Sequence, residues 1–226
     1  MQSLHRVRSR LVKNRTALIN EIRGLNLEYG VTISVGASKV KTGLCAAISD
    51  DSNELTMSAR ELMRELYNEL VEIESKLKKL EKKIKQYCRQ SEGCRRIMKI
   101  PGIGELTATA LISAVPNPNV FKNGRHMSAW LGLVPKQYSS GNKTIMLGIS
   151  KRGDRYLRTL LIHGARAALS RCKNLEHEYG RWLINKKHTL SLNQAAVALA
   201  NKNARIIWSI LSTGNEFDFG MQKVAT

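Results

Sequence analysis

Apolar residues follow a helical period along most of this chain. Leu4, Val7, Leu11, Leu18 and Ile22, with Leu25 after them, are separated by three- and four-residue steps or their sum. That spacing predicts a helix running to about Tyr29 and ended by Gly30. Residues 31–53 are Gly/Ser-containing and poorly periodic, and read as a linker or mobile tip. Ala59, Met63, Leu66, Leu70, Ile73, Leu77, Leu80, Ile84 and Tyr87 then alternate four and three apart. This is a heptad seam on a helix roughly 45 Å long, flanked by Glu65, Glu69, Glu72, Lys76, Lys79 and Lys83. So narrow an apolar stripe needs a partner, either the first helix folded back on it or a second chain.

From Cys94 the texture changes, with Gly, Pro, Arg and Ser frequent, and helices are predicted at about 105–115, 125–132, 154–171, 176–187 and 191–212. Residues 134–149 place Ser-Gly-Asn between β-prone runs and read as a hairpin or extended loop. The expected organisation is linker helices and coiled coil over 1–92, a compact domain over 93–213 and a poorly ordered tail over 214–226. The fold class is mainly α: an antiparallel or intermolecular coiled coil, then a helical domain with a helix-hairpin-helix-like element and a small β-hairpin.

Charge sharpens this picture. Lys and Arg number 37 against 18 Asp and Glu, a formal net charge of +19 in 226 residues, which argues for a polyanionic partner. The excess is uneven. From Leu106 to Leu175 the sole acid is Asp154, while Lys122, Arg125, Lys136, Lys143, Lys151, Arg152, Arg155, Arg158, Arg166, Arg171 and Lys173 share that stretch. No apolar run is long enough to span a membrane, and the first residues lack the apolar core of a secretory signal. Cys45, Cys88, Cys94 and Cys172 form no Cys-x-x-Cys and no zinc pattern with the histidines, so they read as reduced thiols of a cytoplasmic protein, with no metal site on the chain.

Two constellations could carry chemistry. Ile100-Pro101-Gly102-Ile103-Gly104, followed by Thr107, Ala108 and Leu111, has the form of a helix-hairpin-helix turn. Gly102 and Gly104 would expose backbone N–H groups to a DNA phosphate; a tight turn between packed helices explains the same residues equally well. The second is Gly132-Leu133-Val134-Pro135, then Ser139-Ser140-Gly141, then Gly148-Ile149-Ser150-Lys151-Arg152-Gly153-Asp154 and Arg158. A hydroxyl at Ser140, among Lys136, Lys143, Lys151, Arg152, Arg155 and Arg158, is suited to meet a phosphodiester, and basic surroundings stabilise a phosphoryl transition state. A turn residue is the plainer reading of any single Ser-Gly. Ser150 reads as a cap for the helix beginning near Asp154, and Asp154 suits that helix's dipole.

Taken together, these motifs resemble the C-terminal domain of a bacterial insertion-sequence transposase family, the DEDD type that includes the Piv invertases, known as insertion sequence one-ten. The one-one-one-one subgroup is nearest. The matching residues are Pro101-Gly102-Ile103-Gly104, Gly132-Leu133-x-Pro135, Ser140-Gly141 and Gly148-Ile149-Ser150-Lys151-Arg152-Gly153-Asp154 with Leu157-Arg158. The resemblance implies a serine that attacks DNA and becomes linked to it. That serine maps to Ser140, with Ser139 adjacent. It also implies a RuvC-like N-terminal domain whose carboxylates bind Mg2+, a structured guide RNA that pairs with DNA, and a homo-oligomer. Pro101, Gly132, Pro135, Gly141, Gly148, Gly153 and Asp154 would shape the motif loops.

This chain departs from the pattern at its start, where Met1 falls in what resembles the linker helix. The expectation is a DNA- and RNA-binding, serine-bearing part that lacks the RuvC-like domain and is inactive alone. Two alternatives stand beside it: a regulator that co-assembles with intact transposase, and a stand-alone helix-hairpin-helix DNA-binding protein.

Overall fold

The computed structural model describes residues 1–140, 143–171 and 177–219. Its elements run α1 (Gln2–Glu28), α2 (Ala37–Ser49), α3 (Met57–Gln90), α4 (Glu92–Ile97), α5 (Glu105–Ala114), a 3-10 turn (Pro118–Val120), α6 (Gly124–Trp130), β1 (Pro135–Ser140), β2 (Lys143–Ile149), α7 (Arg155–Arg171), α8 (Glu178–Thr189) and α9 (Leu192–Thr213). The protein is mainly α, with one two-stranded antiparallel sheet. It divides into two compact units, Gln2–Lys83 and Ile84–Thr226, described here separately.

In the first unit, α1 and α3 run antiparallel. Arg8 pairs with Glu81 at 2.7 Å, while the buried Asn26 amide near the other end of α1 reaches Met63 Sδ at 3.2 Å. Leu11, Leu18, Ile19 and Ile22 of α1 share a core with Met63, Leu70, Ile73 and Leu77 of α3. The 31–53 stretch corrects the linker reading, because it contains α2, which buries Val40, Leu44 and Ala47. Those residues are four and three apart, a helical stripe camouflaged by the Gly and Ser around it. Arg60 of α3, buried to 6% exposure, stops α2: its guanidinium donates to the main-chain oxygens of Ala47, Ile48 and Asp50 and to Asn53 Oδ1. A cation is thereby placed on carbonyls that the helix leaves unpaired, at the negative end of its dipole.

The seam of α3 departs from strict heptads at its end: Tyr87 is exposed and Cys88 buried. A straight α-helix turns about 100° per residue, so it drifts against a 3.5-residue repeat, and position 88 returns to the face expected for 87.

The second unit is organised around α9. Ala195, Ala196, Ala200 and Ala204 let neighbouring backbones approach, while Leu199, Ile206, Ile207 and Ile210 fill the core beside Leu157, Leu161 and Leu169 of α7. A capping box of Ser191 and Gln194 starts α9, and Gly214, in the left-handed region at φ 74°, ends it. Trp208 Nε1 donates to the carbonyls of Pro118 and Phe121 (3.1 and 3.2 Å). The tail is corrected over 214–219: Phe217 and Phe219 stack with Tyr179 and His177, and Tyr179 N donates to Phe219 O. Residues 220–226 lie outside the described residues.

Candidate nucleic-acid interface

The glycine motifs prove to be places where two backbones touch. Gly102 has φ +90°, and a Cβ there would lie 2.6 Å from Gly164 O on α7; a Cβ on Gly164 would in turn collide with Gly102 O. The Pro101–Gly104 turn is therefore seated backbone to backbone on α7, and this close approach accounts for glycine at 102. Asn203, fully buried on α9, secures it by donating to Pro101 O at 3.0 Å and accepting from Tyr179 Oη at 3.0 Å. Gly104 is exposed as the N-cap of α5, with nothing within 4 Å of a Cβ.

A second contact of this kind joins the end of α6 to the Ser150–Asp154 loop. Gly132 (φ +71°) has no room for a Cβ beside Arg152 O, and Gly153 (φ +97°) has none beside Trp130 O. Hydrogen bonds lace the same segments: Lys151 N donates to Gly132 O at 3.1 Å and Ser150 N to Val134 O at 2.8 Å. The tight crossing leaves Lys151 at φ 56°, left-handed although it carries a side chain. Arg158 reaches in from α7, 9% exposed, and its Nη1 donates to Leu131 O at 3.1 Å and Arg152 O at 3.4 Å. Its guanidinium faces inward onto main-chain carbonyls, holding the loop whose outer side carries Lys151, Arg152 and Arg155, all exposed.

The cap of α7 is Asp154, not Ser150. Asp154 Oδ1 accepts from Tyr156 N at 2.7 Å and Leu157 N at 3.0 Å. The Ser150 hydroxyl is buried and makes no hydrogen bond. The reason is position: Asp154 directly precedes the first helical residue, while Ser150 is already committed through its N–H to the hairpin root.

The hairpin itself projects. All six residues of β1 are exposed, including Pro135 and Lys136. Register pairs Pro135 with Ile149 at the root and Ser140 with Lys143 at the tip. Between Pro135 and Gln137 the register slips, so that Leu147 and Gly148 stand opposite Lys136 in a bulge. Ser140 is exposed at the end of β1, roughly 17 Å along the strand from the root. Ser139, paired with Thr144, has an Oγ that accepts from Gln137 Nε2 at 2.9 Å. Gly141 lies outside the described residues.

The structure thus brings Gly132, Arg152, Gly153, Asp154 and Arg158 into one knot at the hairpin root, and Pro101 and Gly102 onto α7. It does not bring Ser140 into that knot. Among the described residues no three His, Cys, Asp or Glu side chains are grouped so as to hold a metal ion. Sequence reasoning missed Trp182, Lys202 and Arg205, which line a groove of about 850 Å³ beside the hairpin root. The available signal was the cationic pair Lys202 and Arg205 within an otherwise alanine-rich helix.

Comparison with known proteins finds sequences similar to this one. Residues 94–181 match the family described as "Transposase IS116/IS110/IS902 family". Over 97% of its length the chain is 44% identical to the "Transposase for insertion sequence element IS1111A" of Coxiella burnetii, covering 60% of that protein. It is 44% identical over 94% of its length to the "Probable family 20 transposase" of Pseudomonas aeruginosa, covering 63% of it. It is 34% identical over 96% of its length to the "Transposase for insertion sequence element IS1328" of Yersinia enterocolitica, covering 64%. The chain spans less than two thirds of the length of these curated relatives. The matches fall among insertion-element transposases, and residues 94–181 are similar to the IS116/IS110/IS902 family.

Proposed function

We propose that this chain is the nucleic-acid-gripping and serine-bearing part of a transposase, acting in DNA transposition. The observation that carries the reading is the knot at the hairpin root: Lys151 and Arg152 exposed on its loop and Arg155 exposed at the start of α7, with Ser140 presented on the hairpin that springs from it. Exposed cations on a fixed backbone suit phosphate contacts that position DNA without reading sequence. Lys136 and Lys143 lie along the same hairpin. Gly104, at the exposed start of α5, offers a further main-chain contact.

Ser140 is the nucleophile in this reading. Its Oγ attacks a backbone phosphorus; the Oγ–P bond forms, the P–O bond to the neighbouring deoxyribose breaks, and the proton lost by Oγ is balanced by one taken up on the leaving sugar oxygen, which departs as a hydroxyl. By the family resemblance, the carboxylates that bind Mg2+ would come from a RuvC-like domain; among the described residues no three His, Cys, Asp or Glu side chains are grouped so as to hold a metal ion. Alone, the chain binds DNA and guide RNA and does not cut. The test mixes it with a RuvC-like domain of a full-length relative and a labelled DNA substrate. A covalent protein–DNA adduct that forms only in the mixture and is lost in Ser140→Ala, while Ser139→Ala retains it, supports the assignment. Cleavage by the chain alone, or an adduct that survives Ser140→Ala, overturns it.

A co-assembling role has its own observation. Leu62 and Val71 on α3 are 43% and 41% exposed, apolar positions beyond the stripe buried within the unit. Nine residues apart, they lie on opposite flanks of α3, so a helix of a second copy or of an intact transposase would meet one of them at a time; sedimentation of the chain with and without a full-length relative tests this.

A further inference from the structure

The groove beside the hairpin root is bounded by the end of β2, by Trp182 of α8 and by one face of α9. Its volume of about 850 Å³ falls within the range of sites that enclose small organic ligands, about 300–1,000 Å³. Leu133, Ile149 and Ala198 give it an apolar lining, and no acidic residue is among its described lining residues. Lys202 Nζ sits 4.3 Å from the centre of the Trp182 ring, a cation–π contact that fixes both groups at the rim.

Arg205 lines the same groove, and like Arg15, Arg23 and Arg166 it has a buried Nε with no hydrogen-bond partner among the described residues. Its cationic neighbour is Arg125 of α6, held close because Gly124 packs directly on the Arg205 backbone. Among the described residues no carboxylate pairs with either guanidinium. Burial first, and then the Arg125 charge, holds the Arg205 guanidinium below its usual range; burial does the same to Lys202, with Glu178 partly opposing it. A half-buried guanidinium without a paired carboxylate is costly, and a groove that sets it with Lys202 beside an aromatic ring and an apolar wall is matched to an anion bearing a flat apolar group.

We propose that this groove is a second nucleic-acid site, which takes a single-stranded segment, with an unstacked base against Trp182 and the apolar wall and its phosphate between Lys202 and Arg205. A duplex keeps its base faces covered and offers only its backbone and groove edges, whereas a single strand presents the ring face together with the phosphate. Stacking on an aromatic residue combined with Arg and Lys contacts is the general chemistry of sequence-tolerant single-strand binding. The inference rests on the proposed function only in taking nucleic acid as the partner; it does not involve Ser140 or the Lys151–Arg155 loop.

The experiment uses the whole chain, a fluorescein-labelled oligothymidylate and a mixed-sequence duplex of equal length. Arg205→Met keeps the stem that packs and removes the charge, and Trp182→Leu removes the ring. Each is expected to weaken oligothymidylate binding roughly tenfold and duplex binding less than twofold, with Trp182→Phe restoring most of the loss. Oligothymidylate should also quench part of the intrinsic tryptophan fluorescence, and that part should vanish in Trp182→Phe. Circular dichroism checks that each variant is folded; if Trp182→Leu is not, the Arg205→Met affinity and the Trp182→Phe quenching decide. Unchanged single-strand affinity in Arg205→Met overturns the proposal, as does equal weakening for both probes. A change in self-association without a change in oligonucleotide binding also overturns it, and gives the groove to a second copy. Failure of the proposed function is read separately, as duplex affinity that survives Lys151→Ala with Arg152→Ala.

Discussion

At the scale of single residues, the strongest constraints fall on atoms that have no room to change. Gly132 and Gly153 combine left-handed backbone with a carbonyl where a Cβ would sit, so substitution forces both strain and a backbone shift. Gly132→Ala and Gly153→Ala should each lower stability by more than about 2 kcal/mol in urea denaturation. Gly148→Ala, where nothing lies within 4 Å of a Cβ, should cost well under about 1 kcal/mol. His5 obeys a different constraint. Burial first, and the Arg8 charge second, pulls its imidazole down to about 4. The folded state resists a proton that the unfolded chain accepts below about 6.5, so stability is complete above that pH and declines as pH falls from there towards 4. The melting temperature of wild type should drop by several degrees more than that of His5→Gln between pH 7 and pH 4.5, measured by calorimetry.

At the scale of elements, the long helices were readable because their apolar residues repeat at the helical period, as along α3 and α7. What escaped reading had a physical cause in each case. α2 is a helix with Gly43 between its core residues and Ser38 and Ser49 near its ends, and α4, at six residues, is too short for a period to show. Asp154 and Ser150 compete on sequence for the same cap, and only the hairpin bond to Ser150 N decides between them. The candidate site was legible as motifs but not as contacts. Gly102 meets Gly164, and Gly132 meets Arg152, across intervals that no local pattern spans. Asp154→Ala should cost about 1 kcal/mol of stability and Ser150→Ala close to nothing, or a gain, since its hydroxyl is already unpartnered. Thiols report on α3 and α4 in the same way. Cys88 and Cys94 are each 1% exposed, and burial, with the neighbouring Cys94 thiol, pushes Cys88 up to about 12. Maleimide labelling of the native protein, mapped by mass spectrometry, should modify exposed Cys45 and leave Cys88 and Cys94 intact until denaturant is added.

At the scale of the whole molecule, the formal charge of +19 divides into cations with different tasks. Arg60 and Arg158 are buried and bond main-chain oxygens, so they build the fold. Lys151, Arg152 and Arg155 face outward and remain available to phosphates. On the proposed function, only the second group should appear in the salt dependence of DNA binding. Lys151→Ala with Arg152→Ala should flatten the slope of log affinity against log salt by about 2, at unchanged melting temperature. Arg158→Met should instead lower the melting temperature. Among the described residues, no helix is long and apolar enough to cross a membrane.

The hairpin has one mechanical consequence. It is a cantilever: its root is clamped by the Ser150 and Lys151 N–H groups and by the crossing at Gly132 and Gly153, while its outer residues are exposed. A beam held at one end turns a small tilt at the clamp into a large travel at the free end. The register slip between Pro135 and Gln137 interrupts the ladder near the clamp, so the geometry at positions 135–137 and 147–149 sets where Ser140 stands, while leaving what it is unchanged.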